Sequence, residues 1–121
     1  MTSEYFFDSF AIIEILKSSD NYRKYLDSEF VTTKLNIFEV YYKILKVSQE
    51  DADVFLKKFV SKAVDFDDAV ISEACKFRLQ NKEKNLSMTD CIGYAVALKA
   101  GVKFLTGDKE FKGMPNVEFV K

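Results

Sequence analysis

Short apolar runs alternate along the chain with segments whose apolar residues recur every three or four positions, the signatures of strand and helix respectively. Residues 5–7 read as a first strand, and Ile12, Ile15 and Leu16 mark the helix after it, so Asp8 falls where that strand ends. A helical stretch over 22–26 leads to a second short strand at 30–32. Leu35, Phe38, Tyr42 and Leu45 then recur at helical spacing, followed by an amphipathic arm over 51–60, a brief strand at 63–66 and a helix over 68–80. The polar run 81–85 is a solvated loop, and Ser87 with Asp90 makes a start like a capping box for a helix that stops near Gly101. Residues 102–105 form a strand, Thr106, Gly107 and Asp108 the turn after it, and residues 117–120 a last strand beyond Pro115.

Strands separated by helices require crossover connections. The pattern therefore predicts an α/β fold, a three-layer α/β/α sandwich around a mostly parallel sheet of four to five strands. In such sheets function sits outside the carboxyl ends of the strands. Asp8 and Asp108 occupy two such ends. At 121 residues the chain is the size one core serves, and a single domain over 1–121 is expected.

Composition narrows the chemistry. With no His in the sequence, the commonest general base and transition-metal ligand are both missing, and carboxylates are left to do any catalytic work. Cys75 and Cys91 sit in helical apolar patterns and read as packing residues. A net charge of -1 and a pI near 5.5 argue against nucleic-acid binding driven by overall charge, though not against local basic patches. No apolar run approaches the roughly 20 residues of a membrane span, and neither a membrane location nor a secretory signal is expected. A cytoplasmic enzyme fits best.

Four acids are the candidates: Asp8, Glu39, Asp90 and Asp108. Each also has an ordinary reading. At 100° per residue, Asp90 projects opposite Lys99 on its helix, toward the body of the protein, yet it also suits the acidic end of a capping box. Glu39 borders a polar stripe where a pairing with Lys43 would explain it. Asp8 and Asp108 could be simple N-caps.

Taken together, the segments YFFDS, NIFEVYYKIL, LSMTDCIGYAVALKAGVKFLTGDKEF and PNVEFV resemble the successive blocks of the PIN-domain family, especially toxins of the VapC type. The third block is the most specific: an acidic helix start, a small-residue helix, a strand and a Thr-Gly-Asp turn. The resemblance implies an α/β nuclease in which Asp8, Glu39, Asp90 and Asp108 correspond to the family's four acids. Ser9 and Thr106 match the hydroxyl residues beside the first and last of them, and Glu110 matches a further, less regular acid.

It further implies an endoribonuclease using one or two Mg²⁺ or Mn²⁺ ions, the toxin of a type II toxin-antitoxin pair, with RNA as substrate, an antitoxin as protein partner and a homodimeric state. Hard cations favour oxygen ligands, so four carboxylates without His suit them. Asp8, Asp90 and Asp108 are assigned mainly to coordination, Glu39 to coordination or to orienting a water, and Ser9 and Thr106 to hydrogen bonds that hold the acids. Lys34, Lys43, Lys46, Arg78, Lys103, Lys109 and Lys112 are candidates for a phosphate-gripping rim, and Tyr41 and Tyr42 for stacking on bases, against core packing as the plainer use. The rivals are a catalytically silent α/β module holding a regulatory metal, and a nuclease directed at DNA.

Overall fold

A computed structural model describes residues 3–121. Four strands, β1 (Tyr5–Phe7), β2 (Phe30–Val31), β3 (Lys103–Thr106) and β4 (Val117–Phe119), form one sheet in the order β2-β1-β3-β4. Every pairing is parallel, with Phe6 opposite Phe104 and Phe7 opposite Leu105.

Five helices fill the connections: α1 (Ser9–Leu16), α2 (Lys34–Leu45), α3 (Gln49–Phe59), α4 (Asp68–Gln80) and α5 (Met88–Ala100). The period-two alternation of a strand assigns them to layers. Phe6 and Phe104 point into one core with Val70, Ala74 and Ala97 of α4 and α5. Phe7 and Leu105 point the other way, into a core with Ala11, Ile12, Val40 and Phe55 of α1, α2 and α3. The result is the expected three-layer sandwich with four strands.

Close approach explains the small residues of α5. A Cβ on Gly93 would stand 3.0 Å from the Phe6 ring and 3.2 Å from the Phe104 ring, so glycine lets the helix lie directly on the sheet. Gly101 ends that helix with φ 72°, the left-handed conformation a helix stop favours.

Two local expectations are corrected, and the buried face of α2 is a finding of its own. Residues 20–25 form a 3₁₀ turn (Asp20–Tyr25) rather than an α-helix. The strand expected at 63–66 is a single bridge between Thr32 and Ala63, since the short β2 offers little edge to pair with. On α2, Asn36, Ile37 and Val40 are buried, while Phe38, Tyr42 and Leu45 of the apolar repeat are exposed. That repeat marks the helix without marking its inner face.

Sheet order places the reversal of winding between β1 and β3, and the chain leaves both strands on the same edge of the sheet. A crevice opens there.

Candidate metal centre

Asp8 follows β1 directly and is buried. Its backbone N–H donates to the Leu105 carbonyl at 3.1 Å, which fixes the strand end. It stands at the N-cap of α1 but makes no side-chain capping bond, so the capping explanation fails for this residue. Thr106 Oγ1 donates to Asp8 Oδ2 at 2.8 Å. The other oxygen, Oδ1, is buried with no hydrogen-bond partner.

Burial chiefly, then the nearby Asp90 charge and, more weakly, Glu39, push the Asp8 carboxyl up to about 7; the Thr106 hydroxyl and the Ser9 backbone N–H oppose the rise. Asp90 is also raised, first by burial and then by Asp108 and Glu39, against the bonds it accepts from Ser87. Carboxylates held this close, partly out of water, disfavour one another's charge.

Glu39 arrives from α2. Ser9 Oγ donates to Glu39 Oε1 at 2.6 Å, and Asn36 Nδ2 donates to Ser9 Oγ at 3.0 Å. Thr33 Oγ1 in turn donates to Asn36 Oδ1 at 2.6 Å. This relay runs from the start of α2 through Ser9 and back to α2, fixing the Glu39 carboxylate. Its pairing with Lys43 is not observed among the described salt bridges.

Asp90 completes a capping box on α5: the Ser87 backbone N–H donates to Oδ2 at 2.8 Å, and the Asp90 N–H donates to Ser87 Oγ at 3.0 Å. Asp108 follows β3, and its N–H donates to Thr106 Oγ1 at 3.1 Å, so one threonine ties two acids together. Asp108 Oδ1 accepts from the Glu110 N–H at 3.0 Å. For these two acids, capping and convergence coexist.

One cavity of about 510 Å³ is lined by Asp8, Ser9, Glu39, Asp90 and Asp108. As the side chains stand, no three acidic or cysteine groups among the described residues form a ready-made ligand cluster; Glu39, Asp90 and Asp108 are each hydrogen-bonded to a neighbour. Thr106 lies buried beneath the cavity. Glu110 does not line it and accepts from the Asn85 N–H at 3.1 Å. Of the expected basic rim, Lys43 and Lys46 line this cavity, Arg78 lines a separate cleft, and Lys34, Lys103, Lys109 and Lys112 line neither. Tyr41 packs against a core and donates to Asp53 at 2.8 Å.

A family model for the PIN domain matches residues 5–117. The chain belongs to the PIN-domain family. Solved structures agree in fold. VapC20 from Mycobacterium tuberculosis, described as a Sarcin-Ricin loop cleaving toxin, superposes with a TM-score of 0.77 at 16% identity, over 98% of this chain and 100% of that one. A toxin-antitoxin complex from Klebsiella pneumoniae gives 0.75 at 19% identity, over 95% and 96%. VapBC2 from Rickettsia felis, bound to a DNA fragment from its promoter, gives 0.71 at 21% identity, over 95% and 96%. No curated protein matches the sequence significantly.

Two participants escape a reading of the sequence. Asn36 is a buried polar residue three positions before Glu39, and because the apolar repeat of this PIN-domain helix runs along its exposed face, nothing in the spacing set Asn36 on the inner one. Lys17 lines the cavity from just beyond α1, where nothing in the local pattern sets it apart from other surface lysines.

The residues of this PIN-domain pocket fit a hard divalent cation. An unpartnered buried carboxylate oxygen, Asp8 Oδ1, lacks the compensation a buried charge requires. Ser9, Glu39, Asp90 and Asp108 around it offer oxygens, as Mg²⁺ and Mn²⁺ prefer.

Proposed function

We propose that this PIN-domain protein is a metal-dependent endoribonuclease, the toxin of a toxin-antitoxin pair. One observation carries the reading: acids from four separate segments, Asp8, Glu39, Asp90 and Asp108, line a single cavity at the carboxyl ends of β1 and β3. Bound Mg²⁺ or Mn²⁺, one ion or two, would supply the positive charge that acidifies an attacking water and neutralises phosphoryl oxygens.

The chain's own residues have distinct parts in this scheme. Asp8, Asp90 and Asp108 would hold the cation, with Asp8 Oδ1 free to do so. Thr106 keeps Asp8 and Asp108 in register through its two hydrogen bonds. Glu39, oriented by Ser9, serves as a further ligand or takes the proton of the water that attacks phosphorus. An antitoxin is the proposed protein partner, in keeping with the complexes among the structural neighbours, and a homodimer the proposed state in solution. Among the described residues no helix is long and apolar enough to cross a membrane, and the cytoplasm is the proposed location.

Labelled RNA and matched single-stranded DNA, each incubated with the purified protein and either Mn²⁺ or EDTA, test the proposal. Cleavage of RNA in Mn²⁺ alone is expected. A second reading, a silent metal-binding module, draws support from the capping bonds that Asp90 and Asp108 already make. Mn²⁺ binding without cleavage of either strand would favour it over the nuclease.

A further inference from the structure

Apolar side chains on α2 lie on the wrong side for the core. Phe38 is 72% exposed and Tyr42 57% exposed, although both are large aromatics one helical turn apart. They share a wall of the acid-lined cavity with Lys43 and Lys46. Glu39, tethered to Ser9, lies at the inner end of this wall, and the 1.5 Å rise per residue carries Lys46 about 10 Å farther along the helix.

We infer that this wall is a track for unpaired nucleotides, with Phe38 and Tyr42 stacking bases and Lys43 and Lys46 holding the adjoining phosphates. The inference deepens the nuclease reading and rests on it. Charge complementarity argues for this occupant: cations and exposed aromatics side by side on one wall match the phosphates and flat bases of a single strand. Neither Lys43 nor Lys46 makes a salt bridge among the described residues, so neither charge is neutralised by a carboxylate. Lys46 Nζ stands over one face of the Tyr42 ring, 5.1 Å from its centroid, so a base that stacks on that face displaces the ammonium toward the adjoining phosphate. By contrast, the third lysine of the cavity, Lys17, is engaged 3.7 Å from Glu14.

Base-paired nucleotides have no free faces to offer such a wall. The track therefore selects a single-stranded stretch or an open loop, and it does not distinguish RNA from DNA, because stacking requires only a base. Discrimination of the sugar would have to come from elsewhere in the site.

The test is fluorescence anisotropy with a labelled single-stranded oligonucleotide, its duplex and an abasic version, using Asp8→Asn protein in EDTA so that binding is read without cleavage. Phe38→Ala and Tyr42→Ala should each weaken single-strand binding roughly 5- to 100-fold. Neither should change the affinity for the abasic strand. Lys43→Ala with Lys46→Ala should flatten the salt dependence on both strands. All four residues are exposed, and thermal melts of the variants should match the parent. If the aromatic variants bind as the parent does, if the parent binds no strand, or if the substitutions instead alter the molar mass in light scattering, the track is wrong. Wild-type cleavage in Mn²⁺, measured alongside, separates that failure from failure of the nuclease reading.

Discussion

Thr106 Oγ1 donates to one oxygen of the Asp8 carboxylate at 2.8 Å, and the other oxygen is buried without a partner. A half-satisfied acid in a closed place should make the metal-free protein sensitive to pH. Folding raises the Asp8 pKa from an ordinary 3.8 to about 7, so the folded chain keeps a proton that the unfolded chain has already released. Stability is then greatest at low pH as far as this group is concerned, falls as pH rises from about 4 to 7, and levels off above. In EDTA, Asp8→Asn should remove this dependence and stabilise the protein at pH 8 by on the order of 2 to 4 kcal/mol. Urea melts of both proteins across that range read the effect directly.

A cation should reverse the penalty. Saturating Mn²⁺ at pH 8 is expected to raise the melting temperature, with about 2.7 kcal/mol of stabilisation when the free ion stands a hundredfold above its Kd. The gain should shrink as pH falls below about 7, where protons compete for Asp8. Asp8→Asn combined with Asp108→Asn should abolish the response, whereas an equal shift in that double variant would place the ion elsewhere.

Much of this was legible in the residues, for physical reasons that differ by element. Strands such as β1 and β3 are short apolar runs bounded by polar turns, and α5 carries its own start and stop signals in Ser87 and Gly101. The inward face of α2 was not legible, because Phe38 and Tyr42 are apolar yet exposed and Asn36 is polar yet buried. Hydrophobic spacing reports burial only where exposure has no purpose of its own. The acids at strand ends could be placed from topology, but their tethers could not. Ser9 and Glu39 are joined across thirty positions of sequence, a relationship only the packing of α1 on α2 creates.

Asn36 should matter more for stability than its distance from the cavity suggests. It accepts from Thr33 and donates to Ser9 while fully buried. Asn36→Ala leaves the hydroxyl of Thr33 without that acceptor and removes a support of Ser9. A loss of about 1 to 3 kcal/mol is expected, with a fall in cleavage rate as Glu39 loses its fixed position. Asn36→Asp restores the acceptor for Thr33 but not the donor to Ser9, so it should recover part of the stability without the rate.

Gly107 joins Thr106 to Asp108, and a Cβ there would meet the Phe10 ring at 2.3 Å and the Val120 carbonyl oxygen at 2.4 Å. The ring can turn aside, but the backbone oxygen cannot do so without moving the end of β4. Gly107→Ala should therefore cost more than Gly93→Ala, whose nearest contact is a ring carbon at 3.0 Å. Overpacking of this kind typically costs about 1 to 3 kcal/mol. Comparison of the two denaturation midpoints tests the order, and equal midpoints would contradict it.

Asp90 offers a way to separate holding a helix from holding a cation. Its carboxylate accepts from the Ser87 N–H within the capping box, and the same side chain lines the acid cavity. Asparagine keeps an oxygen able to accept that bond and discards the charge. Asp90→Asn should thus lower stability by less than about 1 kcal/mol while removing Mn²⁺-dependent cleavage. Ser87→Ala should do the opposite: it deletes the hydroxyl that accepts from the Asp90 N–H, costing about 1 kcal/mol, and leaves the carboxylate charge in the cavity, so that most of the cleavage survives. The two variants, assayed side by side for melting and for cleavage, should fall on opposite diagonals. If instead Asp90→Asn cleaves as fast as the wild type, the carboxylate is a cap and nothing more, and the cation would have to be held by Asp8, Glu39 and Asp108 alone.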